Sequence, residues 1–511
     1  MQPVSLEPPL RQHLPSPDSS KPGRDPIDRK QLVERYRRNR ERSARLFDLL
    51  NDEDAHYFQP IPLRHPFVFY EGHVPAFSFN TLVKKALGGA GIDDALETLF
   101  ARGIDPPSDA PLGSATASPE SPGAPGASTS GALEREAARN RALWPDGRVV
   151  RQFAQEADER VMEALAHAEI ERPGHPLLER AEAVFVILEH EVMHQETLLY
   201  MLHRMPYARK TSPAGCGPRL GAAPPARWIE IGPGPARLGI DRFDAPYAWD
   251  NEAPRHAVQT PAFSIQSIDV TNAAFMEFVE AGGYREPRFW RPEDWAWVRR
   301  EGIGHPAFWD RRNGGWLWRG LFEAIPLPAG WPVYVTHAEA EAYARWRGVR
   351  LPTEAEFQRA AYGTPGDDAR PAAETATAAE TVISGGRARD ARPFPWGEAT
   401  PVAGRHGVFD FCSWDPQPAG SHPQGCSAWG VDDLVGNGWE WTSTLFAPFP
   451  GFRPQATYPE YSADFFDGDH FVLKGASPAT AGELLRPTFR NWFRGRYPYM
   501  YATFRCAKDR A

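Results

Sequence analysis

The sequence predicts an α+β protein, with an N-terminal four-helix bundle followed by an irregular, loop-rich domain. Three observations carry this reading. Up to about residue 205 the apolar side chains recur at helical spacing, over stretches of several turns. Beyond residue 227 short aromatic segments alternate with Gly, Pro and Asn turns, and most of the 17 tryptophans fall there. Stretches rich in Pro, Ser, Gly and Ala at 105–131 and 364–392 interrupt the two regions as low-complexity insertions too polar to pack.

In chain order, residues 1–25 are polar and Pro-rich, and they read as a disordered leader without the apolar core of a signal peptide. A first helix spans 28–51, where Leu32, Val33, Tyr36, Leu46 and Leu49 stand among charges. The run FVFYEGHVPAFSFNTLVKKAL turns helical after Pro75, which puts His73 at a helix start. A third helix covers roughly 147–171 and a fourth roughly 176–204, ending before Pro206. Residues 26–205 then form the bundle, 206–226 a linker, and 227–511 the second domain. In that domain TNAAFMEFVEAG and HAEAEAYARWRG read as helices, and PTEAEF as a helix cap.

Bulk properties exclude several function classes. A net charge of −9 over 511 residues gives no electrostatic case for nucleic acid or acidic membranes. No run of about 18 apolar residues occurs, so no membrane span is expected. Four cysteines without a CxxC make no disulfide scaffold, which suits a reducing cytoplasm.

The chemistry starts in LEHEVMHQETLLYML. His190 and His194 are four residues apart, on one helical face, where both imidazoles can reach one ion. The bland alternative is a pair of core histidines, but two at this spacing on a bundle helix favour a metal. HEVMH also matches the zinc-peptidase pattern, with Glu191 as base. That reading lacks ligands: Thr197 and Tyr200 stand where Gly and His are needed, and no acidic residue lies between Thr197 and Ile229. A third ligand must come from upstream, where His56, His65, His73, His167 and His175 are available, and His73 is the choice. Glu196 points away from the metal face, towards a salt bridge or hydrogen bond with a neighbouring helix. Three neutral imidazoles suit Fe, Zn, Cu or Ni.

Gly72-His73 followed by His190…His194-Gln195-Glu196 resembles the DinB-like bundle of the ergothioneine-biosynthesis sulfoxide synthases. RLPTEAEFQRAA (350–361), DDLVGNGWEWTST (432–444), FVLKGAS (471–477) and RPTFRNWFRGRYPYMYATFRCA resemble the formylglycine-generating-enzyme fold, a C-type-lectin-like architecture. The resemblance implies an Fe(II) site held by His73, His190 and His194, with O₂ as co-substrate and hercynine (N-trimethylhistidine) as substrate. It implies that Asn491 and Trp492 hold the trimethylammonium end, which favours aromatic faces.

Departures from the family pattern point to the second substrate. Phe493 and Tyr497 replace the Asp and Arg that grip γ-glutamylcysteine, Phe446 and Phe449 replace tyrosines, and Met193 replaces a Gln. Along this line the chain is most similar to the family branch that couples hercynine to a selenosugar. The alternatives are a sulfoxide synthase using γ-glutamylcysteine or cysteine, a zinc-dependent thiol transferase, and a non-catalytic binding module. Formylglycine generation is disfavoured, because Cys412, Cys426 and Cys506 do not form a reactive pair near the end of the chain.

Overall fold

Helices in the first half form where apolar stripes and capping residues coincide. The computed structural model describes residues 27–101, 129–215, 217–242, 244–366 and 392–510. Helix α1 (Arg29–Phe47) begins where the Asp28 carboxylate accepts from the backbone N–H groups of Lys30 and Gln31. Helix α2 (Phe67–Ser78) runs through Pro75. This corrects the expectation that the helix starts after that proline with His73 at its mouth. Every residue of α2 is buried, and burial on that scale outweighs one lost backbone hydrogen bond. The backbone then relaxes into a π-helical segment over Phe79–Ala86.

Two helices go beyond the sequence reading: the short α3 (Asp94–Leu99), capped by Asp93, and α4 (Thr129–Leu143). The bundle is completed by α5 (Gly147–His167) and α6 (Glu182–Arg204). Before α6, the stretch expected to be its first turn is instead a 3₁₀ turn, with Arg180 and Ala181 at positive φ. Helices α1 and α2 each pack against both α5 and α6, the arrangement of a four-helix bundle. The leader, residues 105–128 of the first insertion and 367–391 of the second lie outside the described residues.

The second half is built from small sheets joined by long loops. In order, β1 (Trp228–Ile231), β2 (Gly234–Leu238), β3 (His256–Thr260) and β4 (Phe263–Gln266) precede α7 (Asn272–Glu280) and α8 (Pro292–Glu301). Then come β5 (Trp309–Arg312), β6 (Gly315–Arg319), β7 (Ala324–Pro326), α9 (His337–Arg347) and α10 (Glu354–Tyr362). The chain ends with β8 (Gly438–Leu445), α11 (Glu460–Ala463), β9 (His470–Ala476), β10 (Asn491–Arg494), β11 (Ala502–Thr503) and β12 (Ala507–Asp509). The sequence reading omits α8, whose Pro292 opens the first turn as a helix start permits.

The four-stranded sheet, in order β10-β9-β8-β11, carries the features that matter for the site. Its register sets Asn491 opposite Leu473 and Trp492 opposite Val472. The turn into β8 passes through Gly436 at φ +105°, where a Cβ would come within 2.6 Å of the Val408 backbone nitrogen. That turn delivers the fully buried Trp439 and Trp441. Among the described residues no helix is long and apolar enough to cross a membrane.

Candidate metal centre

His190 and His194 project from one face of α6, and His73 faces them from α2. The Nε2 atoms of His73 and His194 are 3.2 Å apart, and those of His194 and His190 are 3.1 Å apart. All three imidazoles offer a nitrogen within 4.8 Å of the others. Nδ1 of His73 donates to the Phe100 carbonyl at 2.7 Å, which fixes the tautomer and leaves Nε2 with a free lone pair. Gly72 makes this contact possible, since a Cβ there would sit 2.6 Å from the Phe100 ring.

Rings hold the imidazoles in place. Phe69 stacks on His73 at 5.0 Å, Phe77 lies flat on His190 at 3.6 Å, and Tyr70 tilts against His194 at 5.6 Å. Burial pushes the His73 pKa down to about 4. It also pushes His190 and His194 well below the usual imidazole range, with the neighbouring imidazoles adding to the shift.

Three neutral imidazoles with lone pairs converging repel one another unless a cation lies between them, so the donor set fits a metal ion. Nitrogens about 2.1 Å from an ion and at right angles around it lie about 3.0 Å apart, against about 3.4 Å at tetrahedral angles. The His194–His190 edge of 3.1 Å is nearer the shorter value, and the His73–His194 edge of 3.2 Å lies midway between the two. One feature is incomplete. The Nδ1 atoms of His190 and His194 are buried without a hydrogen-bond partner, so only His73 has the outer contact that usually orients a ligand.

From the triad, aromatic rings lead into the second half along two lines. On the His190 side, Tyr458 lies 6.3 Å from the imidazole and 5.9 Å from Tyr461. Tyr461 meets Trp492 edge-on at 5.0 Å, and Trp492 stacks parallel to Phe446 at 4.4 Å. On the His194 side, the Arg64 guanidinium covers the rings of Tyr200 and Tyr497, and Tyr497 stacks on Phe493 at 5.1 Å.

The chain matches the DinB superfamily over residues 35–198 and the sulfatase-modifying factor enzyme 1-like domain over 220–510. A protein named hercynine oxygenase from Mycolicibacterium smegmatis is 38% identical over 315 residues, 60% of this chain and 67% of that protein. The Mycobacterium tuberculosis protein of the same name is 35% identical, covering 63% of this chain and 71% of its own length. Ergothioneine biosynthesis protein 1 of Schizosaccharomyces pombe is 26% identical over 90% of this chain, which spans 54% of that protein. The chain belongs to the ergothioneine-type sulfoxide synthase family.

In this family member the structure draws together most of the sequence-predicted residues. Met193 lies beside the triad, with its sulfur 3.3 Å from the Tyr461 hydroxyl. Trp492 and Phe446 form one stack, and Phe493 and Tyr497 another. Asn491 turns its side-chain oxygen to the backbone N–H of Trp492. Phe449 packs edge-on against His256 and is linked to the Trp492–Phe446 stack through Arg490, whose guanidinium lies 4.0 Å from the Phe449 ring and 5.1 Å from that of Phe446.

Glu196 requires a correction. Its carboxylate accepts from Trp439 Nε1 at 2.8 Å, Ser477 Oγ at 2.6 Å and Thr480 Oγ1 at 3.1 Å. The partners therefore belong to the second half and not to a neighbouring helix, because that face of α6 is covered by β8 and the loop after β9. Glu191, the base of the rejected peptidase reading, is held by Arg40 and Ser43 of α1. Arg64, Tyr70, Tyr200, Tyr458 and Tyr461 were missed in the sequence. Only Tyr70 carried a signal, three residues before His73 and so on the same helical face.

Proposed function

We propose that the protein is an O₂-dependent nonheme iron enzyme of selenoneine biosynthesis, which joins the imidazole C2 of hercynine to the selenium of a selenosugar. The convergence of three neutral, buried imidazoles carries the metal reading. The relatives named as oxygenases support iron over zinc, which has no redox chemistry to activate O₂. Iron(II) bound by His73, His190 and His194 would activate O₂ and acidify the selenol. The relatives named for hercynine supply the first substrate.

The protein's own side chains do the rest by position. Trp492, backed by Phe446, whose ring the Arg490 guanidinium already covers, would offer a ring face to a quaternary ammonium, which cannot donate a hydrogen bond. The imidazole end then reaches towards the triad past Tyr461 and Met193. Phe493 and Tyr497 give a sugar apolar faces to lie against. The Tyr497 hydroxyl is buried and among the described residues meets no partner in hydrogen-bonding geometry, and burial, with Tyr200 beside it, pushes its pKa well above the phenol range. A sugar hydroxyl would satisfy it. Holding both reactants beside one ion replaces a bimolecular encounter with a positioned one.

The second reading is a C–S-forming sulfoxide synthase that uses γ-glutamylcysteine or cysteine, favoured by the relatives named for ergothioneine biosynthesis. One experiment separates the two. The Fe(II)-loaded protein is incubated under air with hercynine and each of selenoglucose, thioglucose, γ-glutamylcysteine and cysteine, and adducts are identified by mass. The proposal expects the selenoglucose adduct to form fastest and no adduct without oxygen. Faster coupling of γ-glutamylcysteine supports the second reading, and anaerobic turnover with zinc overturns both.

A further inference from the structure

Tyr461 spans the distance between the two ends of the proposed hercynine site. Its ring stacks on Trp249 at 3.8 Å and meets Trp492 edge-on, while its hydroxyl donates to the Met193 sulfur at 3.3 Å. Met193 lies on α6 between the two histidines, so the hydroxyl sits at the triad end and the ring at the Trp492 end. A thioether is a weak acceptor, and a buried O–H so poorly matched stands to gain from a better one. Sulfur gives up that hydrogen bond at little cost, and a flexible methionine can move aside.

We infer that Tyr461 is a substrate-orienting residue, whose hydroxyl leaves Met193 to donate to the imidazole end of bound hercynine. This inference rests on the hercynine reading above. Tyr461 is 7% exposed, and among the described residues that sulfur is the only hydrogen-bond partner of its hydroxyl, so the donation is available to an incoming acceptor. Burial and the nearby carboxylates of Glu252, Glu189 and Asp250 hold its pKa well above the phenol range, so the group acts as a donor and not as a base. The ring end is the acceptor because the ammonium end is taken by Trp492, which meets the Tyr461 ring edge-on at 5.0 Å.

The test uses the full-length, iron-loaded protein and its Tyr461→Phe variant, which keeps the ring and its packing. Calorimetric binding of hercynine, steady-state kinetics and the melting temperature are compared. The inference expects hercynine affinity and kcat/KM to fall about tenfold, the loss of one hydrogen bond. The KM for the chalcogen donor and the melting temperature should stay unchanged. Adding Met193→Gln to the variant places a hydrogen bonder back at that position and should restore part of the loss. N-trimethylhistamine, which lacks the carboxylate, should show the same tenfold loss; if it shows none, the acceptor is the carboxylate and the ring assignment is wrong. Unchanged hercynine affinity and kinetics in Tyr461→Phe overturn the inference alone. A wild-type protein that neither binds nor converts hercynine overturns the function on which it rests.

Discussion

At the scale of single residues, the triad depends on an atom that is absent. Gly72 lets the Phe100 ring close over α2, and the Phe100 carbonyl then fixes the His73 tautomer. Gly72→Ala forces that ring away, so the carbonyl shifts and His73 loses its only orienting hydrogen bond. Affinity for Fe(II) should fall about 10- to 100-fold, the usual effect of losing an outer-shell contact. A competition titration against a chelator measures this, and unchanged affinity would show that Phe100 does not position the ligand. His73→Ala should remove binding outright by the same assay. Residue chemistry here was only partly legible. The i,i+4 histidines and the Gly-His pair could be read because helical spacing and ligand type are local properties. Tyr461 and Tyr458 could not, because they come from an aperiodic segment whose position is set by contacts with Trp249 and Phe77 across the molecule.

At the scale of elements, α6 works through three faces. His190 and His194 meet α2, Glu191 and Gln195 bind α1, and Glu189 and Glu196 hold the second half. Glu189 and Glu196 are seven residues apart, which returns a helix nearly to the same face. Arg486 bridges Glu189 at 2.9 Å and Glu252 at 2.5 Å. Arg486→Ala would strand two buried carboxylates, so unfolding in urea should show a loss of about 3–5 kcal/mol. Glu196→Gln should cost about 1–3 kcal/mol, because its buried donors lose a charged acceptor. Equal, negligible losses would mean that apolar packing alone holds the halves together. The pattern of α6 showed that its faces differ, but not what covers each one. Helix α2 was misread for a related reason. Proline is a local signal against helix, and only tertiary burial of every residue around it explains why the helix continues.

At the scale of the whole molecule, the segment between the halves, mostly exposed beyond residue 210, is anchored at its start by one buried lysine. Lys210 forms a bridge with Leu50, is buried, and donates to the Leu321 carbonyl. Arg319, Arg204 and Asp415 surround it. Composition could not reveal this, since Pro, Gly and Ala rule out regular structure without ruling out burial. Burial pushes the Lys210 pKa down to about 7 and that of Asp415 up to about 6. These shifts have opposite consequences for stability. Above pH 7 the folded Lys210 is neutral, while the unfolded lysine keeps its proton to about pH 10.4, so stability rises with pH over that window. Between about pH 4 and 6 the folded Asp415 keeps a proton that the unfolded carboxyl has lost, so stability falls as pH rises. The pair thus contributes least between pH 6 and 7, where both groups are charged and desolvated. Lys210→Met should flatten the rise above pH 7, by up to about 1.4 kcal/mol per pH unit, and Asp415→Asn the fall below pH 6. Melting temperatures of wild type and both variants across pH 4–10 test this. A Lys210→Met difference from wild type that stays constant from pH 7 to 10 would mean that Lys210 is charged in the folded junction, solvated by water the packing was thought to exclude.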